Sequence, residues 1–184
     1  MIGQASKRVF APEYLRECFA LDEETGLLTW RKRPVEHFSS ARVAAVWNGH
    51  WAGKAAFSHC ENGYRRGSLD GKTVKAHQIV YALAAGVWPE QSIDHINGDR
   101  SDNRPANLRS ASTAENAKNK RRYANNTTGV AGVTRTSRGG KFEAWINIKG
   151  KQTCLGTFAT IDDAADAREE AAKREGYHEN HGRN

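Results

Sequence analysis

Cysteine is scarce and odd in number: Cys18, Cys60 and Cys154 are far apart, and no C-x-x-C pair occurs. That pattern argues against a disulfide framework or a thiolate zinc site and suits reduced, mostly buried thiols of an intracellular protein. No run approaches 18 apolar residues, and the N-terminus lacks the apolar core of a signal peptide, so membrane insertion is not expected. Acid is nearly missing from one stretch. Residues 119 to 160 hold Glu143 as their single acid and carry +7, against +4 for 1 to 75, −1 for 76 to 118 and −3 for 161 to 184. The whole chain's net +7 is therefore concentrated in those 42 residues. Such a surface suits a polyanion, because each Lys or Arg set against a phosphate releases condensed counterions; the plainer alternative is a solvated basic face. With 184 residues the chain has room for one moderate domain or two small ones without covalent staples.

Local patterns divide the chain. Pro12 to Phe19 has helical spacing, with Tyr14, Leu15, Cys18 and Phe19 on one side and Pro12 tolerated in the first turn. Residues 26 to 76 read as a small antiparallel meander, because short aromatic or β-branched runs are broken by the tight-turn dipeptides Asn48-Gly49, Asn62-Gly63 and Asp70-Gly71. Trp30, Trp47 and Trp51 are expected in its core, with stacking on DNA as the competing reading. His77 to Ala85 reads as a helix ended by Gly86. An Asp- and Asn-rich loop follows, and Ser112 with Glu115 forms a capping box that starts a helix near Thr113, running towards Arg122, with Asn116 in its second turn.

Beyond a polar linker at 123 to 129, three strand-like runs are separated by turns at 138 to 140 and 149 to 151. Alternation over 142 to 148 buries Phe142, Ala144, Ile146 and Ile148 and turns Lys141, Glu143, Trp145 and Asn147 outward. Thr160 and Asp163 make a second capping box, opening a helix from Ile161 to about Glu175 whose stripe of Ile161, Ala164, Ala165, Ala171 and Ala172 is small enough for close packing on the sheet.

The chemistry-bearing residues cluster between 77 and 120. They are His77, the run Asp94-His95-Ile96-Asn97-Gly98-Asp99, Asp102-Asn103, Asn107-Leu108-Arg109, Glu115-Asn116 and Asn119. This constellation resembles the HNH nuclease motif of phage-borne and intron-borne homing endonucleases. Residues 125 to 174, through Gly132-Val133, Gly140-Lys141-Phe142, Leu155-Gly156-Thr157-Phe158 and Asp163-Ala164-Ala165, resemble an AP2-type DNA-binding domain, and tandem HNH and AP2 modules recur in such nucleases. The first resemblance implies a ββα-metal centre in which His95 is the general base and Asp94 and Asn116 are metal ligands. Asn107 is the middle Asn of the motif, completing the catalytic set by orienting the loop or His95.

Phosphodiester hydrolysis needs those parts: a base for water, and a cation to screen the charge on the transition state and leaving oxygen. Adjacent strand residues face opposite ways, so Asp94 can hold a metal while His95 reaches a water. Carboxylate and carboxamide oxygens suit Mg²⁺ or Mn²⁺. A zinc site on His77 and His95 is a competing reading that lacks thiols and matching spacing. A turn-forming role competes for Asp102-Asn103.

The second resemblance implies that a three-stranded sheet enters the major groove of double-stranded DNA, with Arg135, Arg138, Lys141, Trp145, Lys149 and Lys151 as contacts. Gly139 and Cys154 depart from the plant pattern, where aromatics are usual. The expectation is an α+β protein of two modules: residues 1 to 122, an N-terminal β-meander with the HNH centre, and 123 to 184, an AP2-like three-stranded sheet with one packing helix. It would act in the cytoplasm of a bacterial host as a phage-encoded or homing DNA endonuclease, leaving 5′-phosphate and 3′-hydroxyl ends. A nicking monomer is favoured over a dimer. The main rival is a non-catalytic AP2-type DNA-binding regulator; an RNA-directed nuclease is a weaker one.

Overall fold

The computed structural model describes residues 10–112, 115, 116, 118, 119, 126–137, 140–178, 181 and 182. The chain divides into two compact units, Met1–Ala111 and Ser112–Asn184. This division falls ahead of the polar linker, so the Ser112 cap and Asn116 belong to the second unit. Among the described residues, no helix is long and apolar enough to cross a membrane.

The first unit begins with α1 (Pro12–Cys18), which runs directly into β1 (Phe19–Asp22), paired antiparallel with β2 (Leu27–Trp30). A three-stranded antiparallel sheet follows, β3 (His59–Glu61), β4 (Tyr64–Leu69) and β5 (Lys72–Lys75), in that order. Its turns lie where Asn62-Gly63 and Asp70-Gly71 place them. All four residues have positive φ (51°, 82°, 50° and 72°), the combination whose twist matches the flanking strands. Helix α2 (Ala76–Ala85) ends on left-handed Gly86 and buries Ile79 and Val80 completely. It packs against β4 and β5 on one hand and on the other against a two-stranded hairpin, β6 (Ser92–His95) and β7 (Leu108–Ala111). That hairpin carries Asp94 and His95.

The expected meander is interrupted. Residues Ala41–Trp51 form an α-helix, αN, with Asn48-Gly49 inside it instead of at a turn. Ser40 caps it, its Oγ accepting from the Val43 N–H at 3.3 Å. The Asn48 carboxamide has a tertiary use: Oδ1 accepts from the Arg33 N–H at 2.8 Å and Nδ2 donates to the Arg33 carbonyl at 2.9 Å. A dipeptide preference for tight turns yields to a cap and two tertiary hydrogen bonds. The tryptophan expectation also needs correction. Trp30 is buried and Trp47 meets it edge-on at 5.0 Å, but Trp51, at the helix end, is 42% exposed. Of the cysteines only Cys18 is buried; Cys60 and Cys154 are exposed.

In the second unit, β8 (Val133–Arg135), β9 (Phe142–Ile148) and β10 (Lys151–Phe158) form an antiparallel sheet with β9 central. Helix α3 (Ile161–Arg174) covers one face. Thr160 caps it as its sequence suggests, Oγ1 accepting from the Asp163 N–H at 3.1 Å. Val133, Ala144 and Ala164 are fully buried at the contact, and their small size lets helix and sheet approach closely there. The helix stripe differs from expectation in one member. Arg168 is buried with Ala164 and Ala171, its guanidinium over the Tyr177 ring at 4.9 Å, while Ala165 and Ala172 are only half-buried.

One glycine ties the first unit's elements to the hairpin loop. Gly26 turns β1 into β2 at φ 69°, and a Cβ there would lie 2.3 Å from the Asn103 carbonyl carbon and 2.4 Å from the Arg104 nitrogen. Gly71 has a similar φ with open space around it. Gly26→Ala should therefore cost roughly 2–5 kcal/mol, combining the left-handed penalty with backbone overpacking, while Gly71→Ala should cost only about 1–2 kcal/mol. Urea denaturation of the two variants checks this, and equal losses would show that the Gly26 contact relaxes freely.

Candidate active site

In the β6–β7 hairpin, Asp94 stands opposite Arg109 and His95 opposite Leu108. Paired residues share a face and neighbours alternate, so the two pairs point to opposite sides. On one side, Arg109 donates to Asp94 Oδ2 from Nη2 at 2.9 Å and Nε at 3.2 Å. On the other, His95 is 3% exposed, with its ring 5.1 Å from that of His77 and 5.9 Å from that of Tyr64. His77 lies in the first turn of α2 and Tyr64 at the start of β4, so these two elements build the wall behind the imidazole.

The loop between the strands is stitched by its own amides. Asn107 Oδ1 accepts from the Asn97 N–H at 2.9 Å, and its Nδ2 donates to the Asp102 carbonyl at 2.8 Å. Asn97 Nδ2 donates to Asp102 Oδ2 at 2.8 Å, and Arg104 Nη2 and Nε hold the same carboxylate at 2.6 and 2.8 Å. The result is to place Asn103, 2% exposed, with Oδ1 3.1 Å from His95 Nε2. Since a carboxamide oxygen only accepts, this contact puts the imidazole proton on Nε2; turning the amide over would reverse the assignment. Asn107 thus orients the loop, and Asn103 meets the histidine. Asp102 and Asn103 have a use beyond turn formation.

Burial holds the His95 pKa below its ordinary value, opposed by the Asn103 hydrogen bond and by the carboxylates of Asp94, Asp102 and Asp99. His77 is pushed down to about 3, chiefly by burial and then by His95 and Lys75; its Nδ1 has no hydrogen-bond partner among the described residues. Both imidazoles are therefore neutral near pH 7, the state in which one can accept a proton. Asp102 is pulled down to about 2 by its Arg104 hydrogen bond, although burial opposes this, so it stays anionic.

Asn116 lies in the second unit, in a helical turn started by the Ser112 box. Glu115 Oε2 accepts from the Ser112 N–H at 2.8 Å, Ser112 Oγ from the Glu115 N–H at 3.2 Å, and the Ser112 carbonyl from the Asn116 N–H at 2.9 Å. Asp94 belongs to the first unit and Asn116 to the second. Among the described residues, no group of three or more His, Cys, Asp or Glu side chains gathers as a metal cluster.

Of the expected DNA contacts, Arg138 lies outside the described residues. Lys141, Lys149 and Lys151 are exposed, the last two at the β9–β10 hairpin, where Lys149 has φ 50°. Trp145 is on the sheet face away from Ala144, its Nε1 donating to Glu143 Oε2 at 3.3 Å. Arg135 is paired with Phe142, so it shares the face that α3 covers, its guanidinium 5.1 Å over the Phe142 ring. Strand pairing separates these contacts into two faces, which the resemblance alone did not do. Tyr64 and the role of Arg109 were also missed. Strand pairing could have suggested Arg109; Tyr64 carries no local signal.

Residues 74–118 match the HNH endonuclease family, which supports a nuclease acting on DNA at the level of this domain. The matched stretch includes α2, the hairpin, its loop and Asn116. Searches among curated proteins and among solved structures return no significant match for the chain.

Neutral burial of His77 and His95 has a pH consequence. Their folded pKa values lie below the unfolded one, so the unfolded chain binds more protons once the pH falls below about 6.5. The stability that they contribute is present above that pH and is lost as pH falls towards the folded values. Each such imidazole adds a slope of up to about 1.4 kcal/mol per pH unit. His77→Phe should flatten the decline of the urea midpoint between pH 6.5 and 4; an unchanged profile would show that His77 titrates normally.

Proposed function

We propose that the protein is a divalent-metal-dependent endonuclease that hydrolyses phosphodiester bonds of double-stranded DNA, of the phage-encoded or homing type. The observation that carries this reading is the buried, neutral His95, fixed by Asn103 in a loop that Asn107 closes, all within the stretch that matches the HNH endonuclease family. His95 is the general base, taking the proton of the attacking water. Asn107 is a positioning residue: it holds the loop that aims Asn103.

Asp94 and Asn116 would hold the metal. Their oxygen donors fit a hard ion such as Mg²⁺ or Mn²⁺, and the ion would supply a positive charge that screens the reacting phosphate. In the described arrangement Arg109 neutralises Asp94, so a cation already faces that carboxylate. The β6–β7 hairpin followed by the Ser112-capped turn supports a ββα-metal reading of this region. In the second unit, an AP2-like module would grip DNA through Arg135, Arg138, Lys141, Trp145, Lys149 and Lys151. The charge excess of residues 119 to 160 supports it.

Supercoiled plasmid is the direct substrate. With Mg²⁺ the wild type should produce open circles, and EDTA should stop it. His95→Ala should lower the rate by about 10²–10⁴ with DNA binding retained. Asn116→Ala should shift the Mg²⁺ titration to higher concentration. Full activity in His95→Ala would remove the base assignment, and uncut plasmid with tight binding by the wild type would favour a non-catalytic regulator.

The two kinds of basic residue in the second unit should also separate. Arg135 offers a planar fork to a guanine edge, whereas Lys151 is a point charge beside a turn. Arg135→Ala should cost about 1–3 kcal/mol on a matched site and less on a scrambled one, while Lys151→Ala should weaken both alike and lower the salt slope by about one. Equal losses for Arg135→Ala on both sites would make it a backbone contact.

A further inference from the structure

The first unit contains a second feature that the hydrolytic chemistry does not use. A cavity of about 550 Å³ opens between αN, the segment around Phe38 and β4. That is within the size range of small-molecule sites, and suits one nucleotide but not a duplex. Its walls are aromatic: Trp30, Trp47, Trp51, Phe38 and Phe57 all line it. Trp51 contributes an indole that is 42% exposed, although most of the unit's large aromatics are covered.

The wall is built with some conformational cost. Phe57 is held at φ 56°, a region that bulky residues rarely adopt, and its ring lies so close to β4 that a Cβ at Gly67 would be 2.7 Å from it. Polar groups are set into this aromatic lining. Arg33, 5% exposed, lies over the Phe38 and Trp47 rings at 5.0 and 5.2 Å and donates to Asp70 at 2.9 Å. Ser68 of β4 borders the same space, as do Arg66 and His59. The Arg66 side chain is 37% exposed and held by Glu61 at 2.7 Å.

We propose that this cavity takes a single unstacked nucleobase of the DNA, stacked on Trp51 and its aromatic neighbours, with Arg66 and His59 meeting the adjoining phosphate. The assignment rests on the nuclease reading for its choice of ligand. Aromatic faces accept any base, and the polar groups that border the cavity can meet a base edge. Placement supports it as well. Tyr64, beside His95, and Ser68, at the cavity, are both on β4, about 13 Å apart along the strand. A DNA strand crossing His95 could therefore present a nearby base to the cavity.

The test uses the full chain in EDTA, so that binding is measured without cleavage. Two duplexes are compared by fluorescence anisotropy, one with a single bulged adenine and one with an abasic residue at the bulge. The wild type should bind the adenine bulge about five- to 150-fold more tightly, the range expected for one base stacked on aromatic side chains. Trp51→Ala, which removes an exposed side chain, and Ser68→Trp, which fills the cavity, should each erase that preference while leaving affinity for the abasic duplex unchanged. Equal wild-type affinities, or a preference that survives both variants, would overturn the proposal. The wild type is also assayed on plasmid with Mg²⁺. Normal cutting without a base preference sinks the cavity proposal alone, and a base preference without cutting upholds the cavity and sinks the nuclease reading.

Discussion

The carboxamide of Asn107 accepts from the Asn97 backbone and donates to the Asp102 carbonyl, closing the loop between β6 and β7 with one buried side chain. The geometry at His95 depends on that closure. Asn103 reaches the imidazole only because the backbone on either side of it is fixed, by Asn107 within the loop and by the Gly26 turn pressed against it from outside. A side chain that both accepts and donates is required, since a carboxylate would leave the Asp102 carbonyl unsatisfied and an apolar group would leave both backbone partners so. The loop carries many polar residues for this reason: they satisfy one another where regular secondary structure does not.

The same hairpin separates two electrostatic environments across its thickness. On one side Asp94 is a carboxylate facing Arg109; on the other His95 is desolvated against His77 and Tyr64. Strand alternation makes this possible with adjacent residues, and it keeps an acid and a base from neutralising each other. The neutral imidazoles are a product of burial, with the surrounding carboxylates insufficient to reverse it. Burial of this kind costs stability at acid pH and provides a proton acceptor near neutrality.

The second unit solves a different problem with small residues. Ala144, Ala164 and Val133 let α3 approach the sheet closely, and Arg168 enters the same layer by laying its guanidinium over Tyr177. Pairing along β8 and β9 then decides which basic groups share a face. Arg135 goes with Phe142 and the helix side, Trp145 with the open side, and Lys151, paired with Ile148 at the hairpin end, with the same face as Arg135.

Sequence by itself determined the elements whose signals are local. The capping boxes at Ser112 and Thr160, the Asn62-Gly63 and Asp70-Gly71 turns, the Gly86 stop and the alternation of 142 to 148 all depend on residues within a few positions of each other. The HNH-like spacing of Asp94, His95, Asn107 and Asn116 is also compact, and the stretch that holds all four, residues 74–118, matches that family. Tertiary structure alone decided what the amides and aromatics do. Asn48-Gly49 lies inside a helix because Asn48 bonds to Arg33, fifteen residues away, and no local preference records that contact. Trp51 lines an open cavity instead of the core, Tyr64 reaches His95 from another sheet, and Asn103, not Asn107, touches the imidazole. In each case the deciding partner is distant in sequence or its identity depends on how the loop closes, and a buried contact is fixed only when both sides of it are folded.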